Sequence, residues 1–273
     1  MKKIIIFFSF FILSFILISC SKTAPLNKSQ SSYFINEKYN SLDITWNFGI
    51  INFENSSESK IEESFEQNSQ SKLDYYIKDS ILYINSNSNK NKDLTIYINK
   101  DKIYDTIKIN GIYIDTTIQN MKIKNLKIDS NTGFYFIEDS NIDEFNSSMI
   151  SDVRHYQSHI KRSKINNCNI FYERIHQFYI TNSQFESLNA KFGYTEAFLQ
   201  KNEFSSLSIE QTSGDTHIDL NGNKGYTFKI DCKTVSLDME TIHYNNYYFY
   251  KDGKYKVNLS NTKGSFDIRR YFS

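Results

Sequence analysis

Proline is almost missing from this chain: Pro25 is the only one in 273 residues, and only three alanines occur, Ala24, Ala190 and Ala197. A chain so poor in alanine gives helices little support, and no window sustains a helical period. What fills the place of those residues is β-branched and aromatic, which favours strands. Charge is lacking too. The formal net charge is +1, so there is no electrostatic reason to expect nucleic acid or a polybasic attachment to anionic lipid. Gly-rich phosphate loops, a CxxC pair and a Ser-His-Asp set with a nucleophile elbow are all absent, and no motif implies a cofactor. Cysteine is limited to Cys20, Cys168 and Cys232.

Long apolar runs are limited to one. Lys2 and Lys3 precede Ile4 to Ile18, which is apolar apart from Ser9 and Ser14. That run suits an export signal and is short and wrongly flanked for a spanning helix. It closes on Leu17-Ile18-Ser19-Cys20 and gives way to Ser21-Lys22-Thr23-Ala24-Pro25. A small residue before a cysteine at this point resembles the lipobox of bacterial lipoproteins. The resemblance implies diacylation of the Cys20 thiol, cleavage before it, and membrane attachment through acyl chains. Residues 1–19 are then a signal peptide, and their loss takes the formal charge to −1. Acyl chains gain about 0.8 kcal/mol per buried CH₂, so the anchor needs no basic patch. Residues 20–40 read as a polar tether, in which Pro25 blocks regular structure, and 41–273 as one β domain. Ser21 is not the aspartate that often holds lipoproteins at the inner membrane, which favours the outer one.

The middle of the chain repeats. Ile137 to Ile142, Ile160 to Ile165, Ile180 to Phe185 and Leu199 to Phe204 obey one rule: aliphatic, two polar residues, Ser or Asn, one polar residue, then Ile or Phe. The leading positions are 118, 137, 160, 180, 199 and 218. A second register runs through Leu126, Phe145, Cys168, Leu188, Leu207 and Phe228. Both share one long step, which places an insertion around Ser151 to Gln157. A period near twenty with one or two strands per unit indicates a parallel β-solenoid, of about eleven turns if 41–268 is divided evenly. A β-sandwich with similar strand lengths would not explain the shared long step. Successive turns lie about 4.8 Å apart, so equivalent residues form ladders. One is aliphatic, and one runs Ser140, Ser163, Ser183, Asn202 and Asn221. Cys168 and Cys232 fall three turns apart on this count, roughly 14 Å, beyond the ~7 Å that a disulfide allows. Two buried free thiols are expected.

The order of pieces resembles the bacterial putative-adhesin domain family, a β-solenoid family of loosely assigned activity. Leu42 to Phe53 with Gly49 at the bend matches its opening strand pair. Lys78 to Ile84 and Leu94 to Ile98 match the strands that follow, and Ser213-Gly214-Asp215-Thr216-His217-Ile218 matches its turn. Thr262 to Ile268 matches its close. Asn99 stands where relatives often carry proline, and the turns between Arg154 and Ala197 have mostly lost their glycine. The resemblance implies shape rather than chemistry.

Parallel solenoids also host polysaccharide lyases and hydrolases, which need acidic residues gathered across adjacent turns. Asp139 is followed in its column by Arg162, Asn182 and Lys201, so no acidic ladder forms there, and Asp219 and Asp231 lack aligned partners. His155 and His159, four apart, would suit a metal on a helix. In the inserted stretch of a β domain they read as a solvated loop. Tyr244, Tyr247, Tyr248 and Tyr250, with Phe249 and Tyr255, cluster near the end beside Asn245 and Asn246. They are candidates for stacking on a sugar or meeting a protein, or for a hairpin that caps the last turn. The sequence thus points to a lipid-anchored envelope protein with a non-enzymatic, adhesin-like surface for a protein or glycan. The competing readings are a carbohydrate-active β-helix enzyme and a purely structural component.

Overall fold

The structure, a computed structural model, describes residues 28–66, 73–86, 88–99, 101–150, 157–238, 240–243, 248–251 and 253–271. Every regular element among them is a strand. The first seven are β1 (Lys28–Phe34), β2 (Ser41–Trp46), β3 (Phe48–Asn55), β4 (Lys60–Glu66), β5 (Asp74–Lys78), β6 (Ile81–Ser86) and β7 (Lys92–Ile98). The body follows as β8 (Ile103–Gln119), β9 (Lys122–Glu138), β10 (Asn141–Met149), β11 (Gln157–Lys161), β12 (Lys164–Thr181), β13 (Gln184–Gln200), β14 (Glu203–Ser213) and β15 (Asp215–Asn221). The chain ends in β16 (Tyr226–Leu237), β17 (Glu240–His243), β18 (Tyr248–Lys251) and β19 (Tyr255–Tyr271).

In the body, each turn pairs in parallel with the next, so the fold is the expected solenoid. The aliphatic column is present: Ile118, Ile137, Ile160, Ile180, Leu199 and Ile218 pair in succession, and each is at most 1% exposed. A second buried column runs Leu126, Phe145, Cys168, Leu188 and Leu207. β10 and β11 share one turn, and the long step in the repeat falls between them, at residues of which 151–156 lie outside those described.

Both ends depart from sequential order. After β15 the chain skips a turn to lay down β16, and β19 then returns to fill the gap, pairing with β14 and β15 on one side and β16 on the other. At the other end β2 and β3 lie between β8 and the later pair β6 and β7. The stack therefore has ten turns rather than eleven. The remaining described strands form antiparallel covers: β4, β1 and β5 at one pole, and β17 and β18 along the outer edge of β16 at the other. Capping the open edges in this way blocks edge-to-edge aggregation. Phe228 pairs with Val257, not Leu207, so Cys168 and Cys232 are four turns apart rather than three. Both are buried free thiols. The stretch read from the sequence as tether is part of the fold from Lys28 onward. Lys28–Phe34 pairs with β4, Ile35 N donates to Ser59 O at 2.8 Å, and Tyr39 is buried.

Two columns of corner residues explain how the chain bends. Asn120, Asp139, Arg162, Asn182 and Lys201 occupy the left-handed region with φ between 47° and 55°, a conformation that costs non-glycine residues roughly 1–2 kcal/mol. The serine column beside them offsets this. Ser140 Oγ accepts from Met121 N at 3.2 Å, Ser163 Oγ from Ser140 N at 3.2 Å, Ser183 Oγ from Ser163 N at 3.1 Å, and Asn202 Oδ1 from Ser183 N at 2.9 Å. Each serine hydroxyl also donates to the carbonyl two residues back, on Glu138, Lys161 or Thr181. Each of these four backbone donors thus finds an acceptor one turn away. Asn221 does not continue the ladder. It is half-buried and accepts from Asn223 N at 3.0 Å, because the chain leaves the stack there. At the opposite bend Gly133 has φ +133°, and a Cβ there would lie 1.9 Å from Ile114 O, so only glycine fits.

Candidate binding groove

Three features of the outer surface could carry function. The first is a stack of rings that sequence reading missed. Phe136, His159, Tyr179, Phe198 and His217 occupy one outward column on turns four to eight, with centroids 5.8, 4.9, 4.9 and 5.0 Å apart. The last three pairs lie within 10° of parallel. His159 is therefore part of β11 and not a solvated loop. The signal was available, since these residues lie one position before the aliphatic column and advance by the same steps. Burial between the rings, with Lys161 nearby, holds the His159 imidazolium below its usual pKa. His217 Nδ1 lies 3.2 Å from Asp267 Oδ2, whose own pKa is lowered by His217 and Arg269 against its burial. From His159 to His217 the rings face one another, so the column tightens the sheet.

The second feature is an amide ladder. Asn169 Nδ2 donates to Asn146 Oδ1 and Asn189 Nδ2 to Asn169 Oδ1, both at 3.0 Å. Asn146 Nδ2 in turn donates to Glu144 Oε1 at 3.0 Å, so the ladder ends on a carboxylate on that side.

The third feature is concave. The parallel ladder skips Asp143, Asn166, Glu186 and Ser205 in successive turns, which makes them a corner column. Beside it run Lys164, Gln184 and Glu203. The next turn is β19, which begins at Tyr255 and pairs with β14 from Ser206 onward. The loop from Asn221 to Tyr226 lies beside this turn, held by Lys224 N donating to Asn221 O at 3.1 Å and Tyr255 N to Gly225 O at 3.3 Å. A groove of about 240 Å³ results. Its floor is the buried pair Phe185 and Phe204, stacked at 5.5 Å. Its far wall is Tyr255 and Lys224, and Lys224 Nζ lies 3.3 Å from Glu203 Oε2.

Of the tyrosines singled out from sequence, Tyr244 and Tyr247 lie outside the described residues, and only the backbone of Tyr248 and Tyr250 is described, in β18. Among the described side chains of that cluster, Tyr255 lines the groove. Cys20 also lies outside the described residues. Among the described residues no three His, Cys, Asp or Glu side chains converge as metal ligands, and no helix is long and apolar enough to cross a membrane.

The Toastrack DUF4097 family matches residues 50–269. The chain belongs to that family. No curated protein matches. Among solved structures, a putative cell adhesion protein from Clostridium sporogenes is 14% identical, covering 90% of this chain and 100% of its own, with a TM-score of 0.31. A putative adhesin from Parabacteroides distasonis is 9% identical, covering 90% and 98%, with a TM-score of 0.52. One from Parabacteroides merdae is 11% identical, covering 89% and 96%, with a TM-score of 0.50. At these identities the likeness to the two Parabacteroides proteins is one of fold, and the Toastrack assignment agrees with the solenoid described above.

Proposed function

We propose that this Toastrack protein is a bacterial lipoprotein, anchored through acyl chains on Cys20 at the outer membrane. It presents a non-enzymatic, adhesin-like surface to a protein or glycan. The arrangement of the poles carries this reading. β1 is the outermost strand at one pole, and it begins eight residues after Cys20. Eight extended residues span at most ~28 Å, so the anchor holds that pole near the bilayer. Ten turns at about 4.8 Å each then stand the opposite pole roughly 43 Å further out. The groove spans turns six to nine and the tyrosine-rich β18 lies beyond it, so both candidate surfaces sit on the outward half. A stiff stack with its recessed site away from the anchor suits display.

Residues 21–273, which contain every described strand, should bind saturably to a glycan array or an envelope extract without consuming the ligand. Soluble fragments released from a polymer would overturn the non-enzymatic reading in favour of a carbohydrate-active enzyme. Radiolabelled palmitate incorporation abolished by Cys20→Ala tests the anchor separately.

A further inference from the structure

The geometry points to the groove as a site for one neutral hexopyranose ring, such as the terminal residue of a glycan. This deepens the adhesin-like reading and rests on it. Size comes first. At about 240 Å³, the groove falls below the roughly 300–1,000 Å³ of clefts that hold drug-sized ligands, so it takes a single ring rather than a chain. Charge comes next. Two ammonium groups, Lys164 and Lys224, face two carboxylates, Glu186 and Glu203, and one of each is paired at 3.3 Å. A phosphate or uronate would gain one lysine and meet an uncompensated carboxylate, and a cationic ligand would meet the reverse. Balanced walls select against both.

Polar chemistry then decides the class. Gln184 offers donors and an acceptor on one planar group, Asn166 donates to Asp143 Oδ1 at 3.1 Å and keeps its carbonyl oxygen as an acceptor, the carboxylates only accept, and the ammoniums only donate. A plain apolar ring could not satisfy this wall. A ring of neighbouring hydroxyls, each both donor and acceptor, can do so. Tyr255 supplies a half-buried aromatic wall beside the ring carbons, with Lys224 Nζ and Lys254 Nζ each 5.2 Å from its ring centroid, in the amphipathic role for which tyrosine is suited.

The test is saturation-transfer NMR on the mature chain in detergent micelles. The probes are millimolar methyl glycosides of glucose, galactose and mannose, with glucuronate and glucose 6-phosphate as charged comparators. At least one neutral glycoside should receive saturation at its ring protons, falling at least fivefold in Gln184→Ala and in Tyr255→Leu. Asn189→Ala, on the amide ladder, should leave the signal intact. Gln184 is exposed, so its loss does not threaten the fold, which thermal melting checks for both variants. No transfer from any neutral glycoside, transfer unchanged in Gln184→Ala, or preference for the charged sugars overturns the proposal. If groove variants still bind whole polymers or cells, the groove assignment fails while the broader adhesin-like function survives.

Discussion

Replacing Ser163 by alanine should cost this protein far more than so small a change suggests. Ser163 is 3% exposed. Its hydroxyl accepts from Ser140 N at 3.2 Å and donates to Lys161 O at 3.0 Å. The two partners are not equally hurt by its loss. Lys161 O keeps a second donor, Asp139 N at 3.1 Å, whereas Ser140 N has no other acceptor within the turn. The cost is therefore that of one buried, unsatisfied donor, about 1–3 kcal/mol. A central figure of ~2 kcal/mol is a large share of a typical 5–15 kcal/mol stability. With a urea slope of about 3 kcal/mol/M, the midpoint should fall by ~0.7 M. Far-UV circular dichroism follows the whole stack. The single tryptophan, Trp46, is fully buried and donates to Lys92 O at 3.0 Å, and so reports the N-terminal pole. Coincidence of the two transitions licenses the two-state treatment. Ser205→Ala, at an exposed serine, is the control and should stay within about 0.5 kcal/mol. Equal midpoints for the two variants would refute the idea that the hydroxyl column holds the bends.

Three further outcomes follow from the same structure. Gly133→Ala should destabilise by more than 3 kcal/mol in urea titrations, since it combines a positive φ with a Cβ placed 1.9 Å from Ile114 O. Asp115 lies between Ile50 and Phe134 on adjacent turns, and burial pushes its carboxyl up to about 6. A raised acid pKa means the folded state holds its proton more tightly than the unfolded chain, so stability falls as pH rises from about 4 to 6. Asp115→Asn should therefore raise the urea midpoint at pH 7.5 by an amount worth about 1–2 kcal/mol, discounted for partial exposure. That gain should vanish near pH 4. Neither Cys168 nor Cys232 should react with a thiol reagent in the native chain, since burial raises both thiol pKa values. Both should react after unfolding; rapid native labelling of Cys168 would contradict its place in the core.

The body of the fold was legible because a solenoid writes each column once per turn. The step series that aligned Ile137 with Ile160 is the pairing actually made, and Ser140, Ser163 and Ser183 are where that series placed them. The same series carried the ring column, which went unread because His159 and His217 were judged singly. The ends were not legible for a physical reason. Phe228 follows Leu207 by nearly one period and has the right side chain, yet the intervening turn is supplied by Val257 from the end of the chain. Local pattern cannot report an insertion closed by so distant a strand. The groove was illegible for the same reason, since its far wall exists only once β19 enters and the Asn221–Tyr226 loop is displaced outward. Tyr255 was noticed among its aromatic neighbours, but Lys164, Gln184 and Glu203 carry no signal without the stack.

Engineered disulfides test the stacking order most directly. Ser208, Asn258 and Lys229 share one outer column, in that order. Adjacent turns place Cα atoms about 4.8 Å apart, within disulfide reach, whereas two turns separate them by nearly 10 Å. Oxidation of Ser208→Cys/Asn258→Cys should give a cross-linked band on non-reducing gels in high yield, and Ser208→Cys/Lys229→Cys should give none. Cross-linking of the second pair in place of the first would contradict the ten-turn stack with its inserted C-terminal strand.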